Sequence, residues 1–157
     1  MTRDDQIFDF ELDFAGTLNC IPMIVRFKLD LCGIKLSLKH WNRFDLEDRR
    51  QLILRPCQST SQIAAWRAFL ILLIQVRTGE QAKELPIDPH PPWDDCTTVP
   101  ALILDRIADQ ALPAPAPQVW ASLSPLQRFA LIKLTRGGHD NENFEPAMRE
   151  FGVLEVS

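Results

Sequence analysis

Between Ser59 and Gly79 the chain carries its longest helical pattern, and this segment limits what the rest can build. Ser59 with Gln62 forms a capping-box start, and Gly79 marks an exit, so a helix is expected from about Ser61 to Thr78. Between Trp66 and Val76 its apolar positions nearly circle the axis, which places it centrally in a core wrapped by other helices. Its longest uninterrupted apolar run, Ala68 to Ile74, falls far short of the roughly 18–20 residues that span a bilayer. No membrane association is expected.

The segments around it are punctuated as short helices. Ile21, Ile24, Val25, Leu29 and Cys32 share one stripe, with Arg26, Lys28 and Asp30 off it; Pro22 suits a first turn and Gly33 a left-handed C-terminal cap. Ser37 caps a helix over Leu38–Phe44, and Asp45 caps one over Leu46–Leu54, which Pro56 stops. Before them, Phe8, Phe10, Leu12 and Phe14 alternate with acids, the period of an extended segment with one buried face. Residues 1–16 are therefore expected to form an acidic, aromatic arm lying across the helices, or a short edge strand.

Prolines divide the second half. Five of them in Gln81–Pro100 remove donors and fix φ, so residues 80–100 should be an extended loop anchored by Trp93. Thr98 and Pro100 open a helix to about Ala111; residues 112–118 form a stiff connector, and Val119–Leu123 a helical turn. Both proline segments are read as loops inside a single domain spanning 1–157, since neither side carries enough apolar surface to stand alone. The expected fold is all-α, six to eight helices in an irregular array.

Charge is unevenly spread. The net formal charge is −4, yet Arg26–Arg77 carries ten basic and four acidic residues. Such a block can steer an acidic partner or a phosphate-bearing ligand, and it is equally what a solvated helical face carries. A pI near 5.3 and the lack of any nucleic-acid-binding signature argue against nucleic acid. No basic-then-apolar leader is read, and the expected compartment is cytoplasmic. Cys20, Cys32, Cys57 and Cys96 are widely spaced with no CxxC. In a reducing compartment they read as small hydrophobes; Cys20, Cys32 and Cys57 are retained as a possible thiol site, and no metal ligand set is assigned.

Ser124–Gly152 reads as two helices joined by a polar loop. Ser124-Pro125 is a specific start; Leu126, Phe129, Ala130 and Leu134 form the core stripe, with Gln127 and Arg128 facing out. The loop brings Arg136, His139, Asp140, Asn141, Glu142 and Asn143 together between one helix end and the next start. These residue types suit binding of a partner, a cofactor or an anion, with Arg136 as a phosphate clamp. They equally suit capping and Asx-turns.

Three stretches, FDFELDF, CIPMIVRFKLDLCGIKLSL with the following Trp41, and SPLQRFALIKLTRGGHDNENFEPAMREFG, together resemble the nitrate reductase associated protein family. The resemblance runs from about Phe8 to Leu154. It implies a non-enzymatic accessory or maturation factor for the assimilatory, molybdenum-containing nitrate reductase of cyanobacterial type. Such a factor would bind the reductase or assist its cofactor assembly, touching the molybdenum cofactor only indirectly. It implies no catalytic residue, and no bound cofactor is assigned. A molybdenum-cofactor or iron–sulfur carrier, or a small thiol-dependent enzyme, are the alternatives.

Overall fold

Ser37, Asp45, Ser59 and Ser124 each accept a hydrogen bond from the backbone N–H three residues on, at 2.8–3.1 Å, and four helices begin there. The structure, a computed structural model, describes residues 7–11, 18, 20–136 and 142–154. Among these are eight α-helices and one two-stranded ladder, an all-α architecture as expected. The chain divides into two compact units, Met1–Asp88 and Pro89–Ser157, and the division falls within the proline-rich 80–100 segment.

The first unit holds α1 (Met23–Cys32), α2 (Leu38–Arg43), α3 (Leu46–Leu54) and α4 (Thr60–Thr78), with β1 (Ile34–Lys35) paired antiparallel to β2 (Lys83–Glu84). Helix α4 packs against α1, α2 and α3. Trp66, Leu70, Leu73 and Ile74 line its inner face, and Trp41, Leu52, Ile24 and Val25 meet them in the core. The expected encirclement of α4 is corrected: Leu72 and Val76 are 59% and 65% exposed, because three helices cover only one side of it. Gly33 ends α1 at φ +71°, and a Cβ there would stand 2.7 Å from the Leu85 carbonyl oxygen. Glycine is required at that position for both reasons.

The aromatic arm is also corrected where it is described. Asp9–Glu11 is a 3-10 turn, Phe8 and Phe10 stack with centroids 5.5 Å apart, and Glu11 is buried. The Glu11 carboxylate accepts from the N–H groups of Phe8 (3.2 Å) and Met23 (3.1 Å). Pro22 gives α1 no side-chain cap, so Glu11 supplies one from outside the helix. Leu12 to Phe14 lie outside the described residues.

Lys28, expected off the buried stripe, is 5% exposed. Its ammonium donates to the carbonyls of Leu52 (3.3 Å), Ile53 (2.6 Å) and Arg55 (2.7 Å), the end of α3. These carbonyls have no helical partner and carry the negative end of the helix dipole, so a cation is the group that satisfies them. At the other end of α3, Arg77 on α4 grips Asp48 through Nε (2.8 Å) and Nη2 (3.1 Å).

The second unit holds α5 (Ala101–Asp109), α6 (Pro117–Ser122), α7 (Pro125–Lys133) and α8 (Phe144–Glu150). Helix α7 is central and packs on α5, α8 and the 3-10 turn Pro92–Asp94. Trp93 is the anchor read from sequence, edge-on to Phe129 at 4.9 Å. Arg128 does not face out: it is buried, donating to the carbonyls of Trp93 (2.6 Å) and Leu123 (2.5 Å). Those carbonyls belong to a 3-10 turn and a helix end, which cannot satisfy them internally.

Lys28→Met should leave the α3 carbonyls without their cation and cost about 2 kcal/mol, read as a lower urea midpoint. A second prediction concerns Asp48. Burial pushes its carboxyl up, but the Arg77 and Asp45 hydrogen bonds and the Arg77 charge outweigh this and hold it below the usual range. A folded-state value below the unfolded one gives stability that is present above ~4, the unfolded value, and lost as pH falls through the folded value. Asp48→Asn should therefore be less stable than wild type by about 1 kcal/mol at neutral pH, with the two converging in acid, as urea titrations across that range would show.

Candidate functional site

The C-terminal loop is described only at its edges. Arg136 is exposed after α7; Glu142 is exposed and Asn143 half-buried at the start of α8. His139, Asp140 and Asn141 lie outside the described residues. The approach to the loop is fixed, because Arg106 on α5 donates to the Thr135 carbonyl at 2.6 Å.

The candidate thiols do not form one surface. Cys20 is half-buried, Cys32 and Cys57 are buried, and Cys96 is exposed. Burial, then the neighbouring Cys57, pushes the Cys32 thiol up to about 12; burial pushes Cys57 up to about 11 against the charge of Lys28. Both are protonated at neutral pH and poorly nucleophilic. Cys57, Lys28, Phe27, Arg55 and Gln62 border a cavity of about 260 Å³ at the C-terminal end of α3. Lys28 faces it already committed to three carbonyls. Among the described residues, no three His, Cys, Asp or Glu side chains are placed to hold a metal ion.

A basic cavity that sequence reasoning missed lies in the first unit. Lys35, Ser37, Lys39, His40, Glu80, Gln81 and Lys83 enclose about 470 Å³. Three local features build it. Ser37 caps α2 and so places Lys39 and His40 in its first turn. Gly79 ends α4 in the left-handed region, which turns Glu80 back toward His40. The β1–β2 ladder sets Lys35 opposite Lys83. His40 Nε2 and Glu80 Oε2 are 2.5 Å apart, whereas His40 Nδ1 is buried with no hydrogen-bond partner among the described residues. Hydrogen bonding to His40, then the Lys39 and Lys83 charges, holds the Glu80 carboxyl below its usual range. The Arg26–Arg77 charge excess was a signal for this site, but two-residue strands are too short to read.

A second surface among the described residues is apolar. Ala65, Ala68, Leu72 and Val76 are exposed on α4 at spacings of three and four, which is one helical stripe. No described helix is long and apolar enough to cross a membrane.

The sequence model of the family described as conserved nitrate reductase-associated protein matches residues 7–151. The chain belongs to that family, whose name links it to nitrate reductase. No curated protein and no solved structure matches it.

The burial pattern orders the thiols. Under native conditions Cys96 should alkylate first with iodoacetamide, Cys20 more slowly, and Cys32 and Cys57 only on unfolding. Time-resolved peptide mapping by mass spectrometry checks this order.

Proposed function

We propose that the protein is a non-enzymatic accessory factor for assimilatory, molybdenum-containing nitrate reductase, acting in the cytoplasm by binding the reductase during its maturation. The observation that carries this reading is the family match over residues 7–151. Two surfaces support a protein contact. The α4 stripe offers Leu72 and Val76, both more than half exposed and one helical turn apart, an apolar surface that a partner could cover. Separately, in the second unit, the Arg136–Asn143 segment carries polar side chains of the kind found at protein contacts, with Arg136 and Glu142 exposed at its ends.

Deletion of the gene, followed by separate assay of reductase activity, reductase protein and its bound molybdenum, tests the role. Reduced activity with normal protein and low molybdenum would place the step at cofactor assembly; loss of the protein itself would place it at stabilisation. Unchanged activity would sink the reading. For the surface, Leu72→Asp with Val76→Asp should lower recovery of the reductase on tagged protein at least tenfold, the size of a lost apolar anchor. Arg136→Ala with His139→Ala should lower it less. Circular dichroism and urea unfolding of the same variants separate a lost contact from a lost fold.

A further inference from the structure

Lys35 and Lys83 stand directly opposite each other on the β1–β2 ladder. Opposed like charges destabilise a strand pair, and a ladder this short has little with which to offset them. The same two lysines, with Lys39, wall the 470 Å³ cavity, and among its described lining residues Glu80 is the one acidic group. That carboxylate is already engaged by His40 at 2.5 Å. Three ammonium groups against one committed carboxylate leave the cavity net positive. Ser37 accepts the His40 N–H at 3.1 Å, which leaves its hydroxyl proton to donate elsewhere.

We propose that this cavity binds a phosphate group, free or as the phosphomonoester of a small molecule, between Lys35, Lys39 and Lys83. Two charges on a tetrahedral group match three lysines that line one cavity better than a single carboxylate does, and ammonium–phosphate hydrogen bonds are of the strong, charge-assisted kind. The bound dianion relieves the Lys35–Lys83 repulsion, so binding and ladder stability are linked. The volume falls within the range of cavities that hold a small organic ligand, so a phosphomonoester has room for its body. The proposal concerns the isolated protein and does not depend on the reductase contact.

The test is calorimetric titration and thermal unfolding of the purified full chain with inorganic phosphate and with adenosine monophosphate, at ionic strength matched with chloride. Saturable one-to-one binding and a raised unfolding temperature are expected. Lys35→Gln and Lys83→Gln should each weaken binding about tenfold or more. Each should also raise the unfolding temperature of the phosphate-free protein, since the repulsion is gone. Arg50→Gln removes the same charge from an exposed site on α3 and should leave affinity within about twofold. Tighter binding of the monoester than of phosphate identifies a ligand with a body; equal affinities identify phosphate alone. Absence of saturable binding by both probes overturns the proposal. So does an equal loss in Arg50→Gln, or binding of a glutamate-rich peptide where neither phosphate probe binds.

Discussion

The Lys28 ammonium joins helices of the first unit at the end of α3. Helix α3 stops at Leu54 ahead of Pro56, and its last carbonyls point into a region closed by α1 and α4. One ammonium from α1 takes three of these carbonyls, and the Trp66 indole of α4 donates to the Leu52 carbonyl as well, at 3.0 Å. Three helices are thereby fixed on one helix end. A buried cation is costly when alone, and here its charge is spread over carbonyl dipoles that needed a donor.

The same solution recurs. Glu11 satisfies the first N–H of α1, that of Met23, and Arg128 satisfies the carbonyls of Trp93 and Leu123. Leu18 holds a left-handed φ of 61°, and its carbonyl is taken by the Trp41 indole (2.7 Å) and Arg49 (3.0 Å). Short helices make this necessary. A six- to ten-residue helix has most of its polar backbone at its ends, so a chain built from such pieces needs many caps from afar. Charged side chains on long stems can reach them.

This explains which parts of the fold were legible. Local caps were: Ser37, Asp45, Ser59, Ser124, Gly33 and Gly79 act within four residues of where they stand, and composition alone marks them. Caps from a distance were not. A period-3.6 reading puts Lys28 and Arg128 outside because they are charged, although burial with carbonyl partners is open to both. The alternation in FDFELDF misled for a related reason. Alternation specifies a strand only if a partner strand exists; no strand is paired with it among the described residues, and Glu11 turns inward to the α1 start. The candidate site was legible in sign but not in place. The charge excess over Arg26–Arg77 was visible, yet Lys83 joins it from outside that block, through a ladder with one pair of residues on each side.

Within the block, several cations are held by structural partners, Arg43 and Arg50 stand exposed on the surface, and two lysines share a cavity. Arg26 donates to the Ile21 carbonyl, Lys28 and Arg49 to others, Arg77 to two aspartates, and Arg55 lies over the Phe69 ring at 4.0 Å. These cations are consumed by architecture, and their positive charge is screened by the dipoles and carboxylates they hold. Lys35 and Lys39 differ: both are exposed, both face the same cavity, and Lys83 meets them there. Charge retained for structure is neutralised where it stands, whereas these three lysines share a concave surface with a single carboxylate that His40 already holds. An anion seated among these lysines would offset their mutual repulsion, which is the link between the ladder and the proposed site.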